Sequence, residues 1–471
     1  MINKNQYLLL VLLLSTIIIK SISSIFYIED IDSLRFALSV YDKFDLSILQ
    51  PHFPGYPVFC FFAKTIYSIV NNLGVSFSFI GAISTFIIIY FSLLITNFNI
   101  NSKEGLFTVF IILFNPMFFL LSNRYMPDLM GLSVFAASFH LLTSKEINKV
   151  RLGAFLYAIL CGIRLSYFPL LIIPSIIAIR RFSRVEIYTL FIFFLAGIFI
   201  WILPVIYMTG FNDLLSIATR QTSGHFSDYG GTFITEGDWF YRFKFFVHTL
   251  WSDGLGGYWV DRSKIALIPS LFMMLMVYPI YQLVIKSFRE DNKLKILIYS
   301  AFLYLIWIMM FQNIIYKSRH VAPIVFVIII LISSSQSFYL NRYKLLDYIS
   351  KSLFVFSLVF LSINLSLQHK SYTSIHRVKE YLLNSKSEYN IASTPLINFY
   401  LKSTGVNRKY YNVDSLEDVN ELYNNLGIEK VIMIGDFRYR LDEELIFVKD
   451  TIFYHNPYMN RMWSTINVYS N

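Results

Sequence analysis

The sequence predicts a polytopic α-helical membrane protein of about 11 transmembrane helices, followed by a small C-terminal α/β domain. Three observations carry that prediction. Of 471 residues, 56% are hydrophobic and only 15% charged, against roughly 25% charged in soluble domains. Apolar runs recur along the first 369 residues and are separated by short basic loops. From about residue 370 the apolar runs stop and the composition turns polar.

The elements follow in chain order. A span needs about 20 apolar residues at a rise of about 1.5 Å each. Residues 1–20 resemble a signal peptide, but Lys4 is their only early basic residue and no small-x-small site follows; the reading is an uncleaved first span. Further spans are expected at 77–98, 105–123, 129–143, 187–209, 265–285, 296–316, 321–340 and 352–368, with the first at 7–27. The apolar stretch 152–179 contains Arg164, Pro169 and Pro174. Basic loops flank it, "SKEINKVR" (144–151) and "IRRFSR" (179–184), and the positive-inside rule puts both in the cytoplasm. An even number of passes is then required, so the stretch is read as two short helices meeting near Arg164.

That count leaves the N-terminus inside and the C-terminus outside. Lys103, Lys145, Lys149, Arg151, Arg180, Arg181, Arg184, Lys286, Arg289, Lys293, Lys295, Arg342, Lys344 and Lys351 then fall in inner loops. The net charge of +10 is explained by those loops and does not call for nucleic acid. Cys60 and Cys161 lie in apolar surroundings and offer neither a disulfide framework nor metal spacing.

Residues 28–76 form the first outer loop, within which 33–43 and 58–72 read as helices lying in the membrane interface. Residues 210–264 exceed an ordinary connection and read as a long outer loop that is functional or partly ordered over a site. His225 and Asp228 within it make at most two ligands, too few for a metal site, and no cofactor is expected. In the tail, "KVIMIG" (430–435) reads as a buried strand and "SLEDVNELYNNLG" (415–427) as an amphipathic helix with an Asn/Gly stop. The expected division is 1–369 for the membrane domain and 370–471 for an outer α/β domain.

The chemistry-bearing stretch is "YIEDIDSLRFALSVYDKFDLSILQPHFPGYPV" (27–58). Glu29, Asp30 and Asp32 follow directly on a membrane span, and the stretch ends in a Pro/Gly turn around His52. Charge beside a membrane is costly and points to function. A solvated loop is the plain reading of one acid; three acids and a fixed turn favour a site.

Residues 32–56 resemble the first extracytoplasmic loop of the C-type glycosyltransferase superfamily, which includes protein O-mannosyltransferases and lipid A aminoarabinose transferases. Asp32 matches the superfamily's Asp, Arg35-Phe36-Ala37 its Arg-Tyr-Ala triplet, and His52 to Tyr56 its His-Pro-Pro-x-Gly-Tyr turn. Ser33 stands where a Glu often follows the Asp, which leaves Asp30 or Glu29 to supply a second carboxylate. "NPMFFLLSNRYMPD" (115–128) is similar to the next outer loop, with Asp128 as its acid, and "YKSRHVAP" (316–323) to the Arg-containing start of a late helix. The resemblance implies an enzyme of the plasma membrane. It would transfer a sugar from a polyprenyl phosphate to an acceptor hydroxyl at the outer face, inverting the anomeric carbon. Asp32 is the implied general base and Asp128 a second acid. Arg319 is the implied phosphate ligand, supported by Lys317 and His320, with Arg164, His52 and Arg35 also at the substrate. A lipid, glycan or protein is the implied acceptor. His140 reads as structural.

A secondary transporter would need ionisable or broken-helix sites near the midplane and often two related halves; the acids gather at one face and no halves are visible. A surface-polysaccharide polymerase or ligase would share the long outer loop but not the acidic first loop. A non-catalytic scaffold would look much the same.

Overall fold

The computed structural model describes residues 4–228, 230–290, 292–339, 344–385, 389–425, 430–440 and 447–471. The N-terminal helix α1 (Lys4–Ile22) leads into α2 (Ile31–Tyr41), α3 (Pro57–Val70) and α4 (Leu73–Thr96). Next come α5 (Lys103–Leu113), α6 (Pro116–Leu121), α7 (Asp128–Leu142), α8 (Ile147–Arg164), α9 (Ile172–Arg181) and α10 (Arg184–Thr209). Then follow α11 (Phe211–Ser227), α12 (Trp239–His248), α13 (Leu267–Arg289), α14 (Lys293–Phe311), α15 (Ala322–Ser334) and α16 (Lys344–Lys370). Among the described residues, 8 helical segments are long and apolar enough to cross a membrane.

Local chemistry explains the departures from the expected spans. The stretch 105–123 is not one helix. Pro116 lacks an N–H and cannot continue α5; α6 restarts there, with the Asn115 side chain accepting from Phe118 N at 3.1 Å. The stretch 152–179 turns back at Arg164, whose backbone is extended (φ −151°, ψ 86°). The Tyr157 hydroxyl donates to Phe168 O at 3.0 Å, and the Arg181 guanidinium donates to Ser144 O at 2.9 Å, so the chain returns to the end it left.

Two further expectations are corrected. The segment 33–43 falls largely in α2, but nine residues of that helix, 31–34 and 36–40, are buried, so it does not lie free on a surface. It is held between α3 and the C-terminal domain, because its apolar residues have both partners to cover them. By contrast α3 leaves Phe61, Phe62 and Ile69 exposed along one face. The segment 210–264, expected to be functional or partly ordered, is more regular than that: it folds into α11, α12 and a π-turn over Thr249–Gly254.

The C-terminal part adds α17 (Ser374–Asn384), β1 (Asn390–Ser393), α18 (Pro395–Ser403), β2 (Tyr410–Asn412), α19 (Leu416–Asn425), β3 (Val431–Ile434), β4 (Val448–Tyr454) and β5 (Thr465–Ser470). The sheet order is β2-β1-β3-β5-β4. The first three strands run parallel, with Ile391 opposite Ile432, and β5 is antiparallel to β3 and β4. Strand alternation divides the core. Ile391, Ile432 and Val468 face one side, where they pack with Ile31, Leu34 and Leu38 of α2; Ala392, Met433 and Tyr469 face the other, with Val419 and Leu422 of α19. Gly427, part of the expected helix stop, and Arg342 lie outside the described residues.

Candidate active site

Helix α2 starts at the acids for a local reason. Asp30 is its N-cap, with Oδ1 accepting from Ser33 N at 2.8 Å. Two residues on, roughly half a helical turn, Asp32 points away from Asp30 and toward the segment before α15. There Lys317 Nζ donates to Asp32 Oδ2 at 2.7 Å and Arg319 Nη2 to the same oxygen at 2.6 Å. Arg35, on the same face of α2, lies 3.8 Å from Asp32 Oδ1.

Asp128 opens α7 but does not cap it; no side-chain cap bond is formed there. Its carboxylate faces two guanidinium groups instead: Arg164 Nη2 lies 3.0 Å from Oδ1 and Arg319 Nε 3.6 Å from Oδ2. Arg319 therefore bridges both carboxylates. Arg164 reaches this position from the reversal between α8 and α9. Close packing depends on Gly131, where a Cβ would lie 2.9 Å from the Arg164 Cβ.

The Pro/Gly turn forms the third wall. Gly55 has φ +89°, and a Cβ there would meet Leu46 Cδ2 at 3.0 Å. The turn carries His52, whose Nε2 pairs with the Tyr56 hydroxyl at 3.1 Å. The Tyr56 hydroxyl also accepts from Arg164 Nη1 at 3.4 Å. His320 Nδ1 stands 3.4 Å from Arg164 Nη2, and the His320 carbonyl accepts from Tyr304 Oη at 3.0 Å.

Electrostatics follow from this packing. Burial pushes the Asp32 carboxyl up, but Lys317 and Arg319, helped by Arg35, hold it well below the usual carboxylate range. Burial lowers Lys317, with Asp32 opposing. Burial also lowers His52, to about 3, so its imidazole is neutral near pH 7. With His52 neutral, the four cations Arg35, Arg164, Lys317 and Arg319 face two carboxylates. The buried cluster carries an excess of two positive charges, which suits a doubly charged anion such as a phosphate monoester.

The structure thus brings Asp32, Asp128, Arg35, Arg164, Arg319, Lys317, His320 and His52 into one cluster. Asp30 is committed elsewhere: besides capping α2, its Oδ2 accepts from Asn460 Nδ2 at 3.0 Å. Glu29 is also turned away, with Arg124 Nε at 2.9 Å and His369 Nε2 at 2.8 Å. His225 Nε2 lies 2.6 Å from Phe311 O, and no His/Cys/Asp/Glu group among the described residues has metal-binding geometry. His140 faces Lys293 Nζ at 3.5 Å, at the opposite end of α7 from Asp128. The Arg164 guanidinium also lies 5.9 Å from the centre of the Tyr167 ring; Tyr56, Tyr167 and Tyr304 were not expected in the cluster. Tyr56 stood inside the matched turn; Tyr167 and Tyr304 sit in apolar runs that give no signal.

Along 99% of its length the chain superposes on 98% of ArnT from Cupriavidus metallidurans bound to undecaprenyl phosphate, with a TM-score of 0.57 at 11% identity. ArnT from the same organism in the apo state gives a TM-score of 0.55 at 11% identity, over 98% of this chain and 97% of that one. The chain shares the overall fold of these ArnT structures. An Archaeoglobus fulgidus oligosaccharyltransferase tethered with an acceptor peptide is matched at a TM-score of 0.46 and 9% identity, over 91% of this chain and 69% of that one. No family model and no curated protein sequence matches the chain. At 11% identity the likeness to ArnT carries the fold alone.

Proposed function

We propose that this protein is a membrane glycosyltransferase that moves a sugar from a polyprenyl-phosphate donor to an acceptor hydroxyl. The observation that carries the reading is the buried cluster in which Lys317 and Arg319 converge on Asp32 while Arg319 and Arg164 face Asp128. Such an excess of fixed positive charge at the edge of apolar helices fits a lipid-borne phosphate. The solved ArnT bound to undecaprenyl phosphate, which shares the fold, supports the same donor class.

The chemistry requires the cations to change partners. Asp32 held by Lys317 and Arg319 is a weak base. When the donor phosphate takes those two cations, the carboxylate is released and its proton affinity rises. Asp32 then accepts the proton of the acceptor hydroxyl as that oxygen bonds to the anomeric carbon. The bond from the anomeric carbon to the phosphate oxygen breaks, and its electron pair leaves on the phosphate, where Arg319, Lys317 and Arg35 meet the developing charge. Asp128 keeps Arg164 and Arg319 oriented, and His52 and His320 line the sugar side as neutral imidazoles. A single displacement inverts the anomeric carbon. The reaction belongs to the outer face of a plasma membrane, in a chain of eleven crossings with the N-terminus inside. Positive-inside loops support that orientation.

The test is mass spectrometry of envelope glycans and glycoproteins in a deletion strain carrying either wild type or Asp32→Asn. A sugar lost on deletion and restored by wild type alone, with both proteins expressed equally, is the expected result. Full restoration by Asp32→Asn would remove Asp32 as the base.

A further inference from the structure

Helix α12 carries an exposed apolar face away from the charged cluster. Its sequence is "WFYRFKFFVH", and a period of about 3.6 residues per turn divides it three ways. Arg242, Phe245 and Phe246 turn toward the protein. Trp239, Phe240, Phe243 and Val247, at spacings i, i+1, i+4 and i+8, share an exposed side, with Phe240 78% exposed. Tyr241, Lys244 and His248, at i, i+3 and i+7, form a polar edge between the two. A contiguous exposed apolar patch marks contact with a protein or with a membrane. Three observations favour the membrane.

The first is depth. Arg242 is fully buried and fastens α12 to the last turn of α14. Its Nε and Nη2 donate to Met309 O at 3.1 and 2.6 Å, Nη2 also to Gln312 O at 3.2 Å, and Nη1 to Gly231 O at 2.7 Å. Phe233 N adds a bond to Met310 O at 2.9 Å. The carbonyls at a helix end need such donors, and α14 is one of the helices long and apolar enough to cross a membrane. A helix pinned to the end of a span sits at the membrane boundary. The second is continuity. Phe302 and Ile306 are exposed on the stripe of α14 that runs up to Met309, so an apolar surface leads along the span to α12. The third is the polar edge. His248 Nε2 lies 3.5 Å from the Tyr458 hydroxyl, and the His248 ring stacks on Trp259 with centres 4.7 Å apart. That edge therefore faces the C-terminal domain, and the apolar face is turned away from it.

We propose that α12 is an interfacial helix docked on the lipid bilayer. Trp239, Phe240, Phe243 and Val247 enter the acyl region, as aromatic side chains do at membrane boundaries. Lys244, at the seam, extends its ammonium to the headgroups. Helix α12 runs directly into the π-turn, where Asp253 Oδ2 pairs with Arg461 Nη2 at 2.8 Å, so the bilayer contact also supports the C-terminal domain. Docking of α12 does not depend on which reaction the charged cluster performs.

Nitroxide labelling of the full-length protein in phosphatidylcholine vesicles tests it. Cys60 and Cys161 are buried, so a cysteine introduced on α12 takes the label. Labels at Phe240→Cys and Phe243→Cys, and at Tyr241→Cys on the polar edge, are compared by collision with oxygen, which concentrates among acyl chains, and with a water-soluble nickel chelate. The oxygen-to-nickel ratio at Phe240→Cys and Phe243→Cys is expected to exceed that at Tyr241→Cys severalfold, with both labels about 5–10 Å into the headgroup and acyl boundary. Two positions on the apolar face keep the test decisive should one variant not fold. A ratio no higher than that of Tyr241→Cys would put the face in water and overturn the proposal. Labels shielded from both oxygen and nickel would put a second copy of the chain on the face and overturn it equally.

Discussion

At the residue scale the acids after the first span divide into two jobs. Asp32 faces the cations of the cluster, while Glu29 and Asp30, three and two residues before it, hold the loop. Glu29 is the clearest case. Burial raises its carboxyl, but Arg124 and His369 outweigh burial and hold it down at about 2. Its folded value thus lies below the unfolded value of about 4.3. A depressed carboxyl stabilises the fold fully above the unfolded value, and that contribution is lost as pH falls through the folded one. The shift corresponds to roughly 3 kcal/mol as an upper bound. Glu29→Gln is therefore expected to lower the unfolding midpoint at pH 7 and to flatten its fall between about pH 4.3 and 2. Thermal unfolding in detergent across that range checks it; a variant with the wild-type acid limb would mean that Glu29 is not a source of the acid sensitivity.

At the scale of elements, close backbone approach decides where the helices sit. Gly81 of α4 lies against the turn after α6, and a Cβ at that position would fall 1.8 Å from Ser122 O. Neither partner can give way, because Ser122 is fully buried and its oxygen belongs to the backbone. Gly81→Ala should force the two elements apart at a cost of about 1–3 kcal/mol, the usual range for overpacking. A drop in the detergent unfolding midpoint is the expected reading, and an unchanged midpoint would show that α4 can shift freely. Such contacts are invisible in a single sequence, whereas helix existence was legible. Apolar length located α4, α10, α13, α14 and α16, and charge in the flanking loops required the reversal at Arg164. The Pro116 break between α5 and α6 and the folding of 210–264 into α11 and α12 were missed. The first was marked only by Asn115-Pro116, with long apolar runs on both sides of it. The second was hidden because aromatic and polar residues alternate there without a clean period.

At the scale of the whole molecule, the C-terminal part is not an appendage to the membrane bundle. The polar tail was legible as an α/β unit, since β3 and α19 were read from their patterns. Its docking was not, because no local pattern announces which distant residues meet. The structure shows α2 sharing a core with the sheet through Ile31, Leu34 and Leu38. The polar contacts lie beside it: Asn460 Nδ2 donates to Glu29 Oε2 at 3.2 Å and to Asp30 Oδ2 at 3.0 Å, and the Tyr400 hydroxyl donates to Ile28 O at 2.5 Å. Arg124, paired with Glu29, also donates to Met459 O at 3.2 Å. One amide thus fixes two buried carboxylates at the start of the helix that carries Asp32. Asn460→Ala leaves both carboxylates short of a donor, a loss of about 1–3 kcal/mol for each buried group left unsatisfied. The expected consequence is local: faster amide hydrogen exchange over 28–34 and 455–463, with exchange in α7 and α8 unchanged. Loss of protection throughout the bundle would mean that Asn460 supports the global fold. Wild-type exchange at 28–34 would mean that the tail rests on the acid loop without holding it. In the expected case the C-terminal domain sets the position of Asp32 from outside the bundle, and changes at its surface would reach the site through α2.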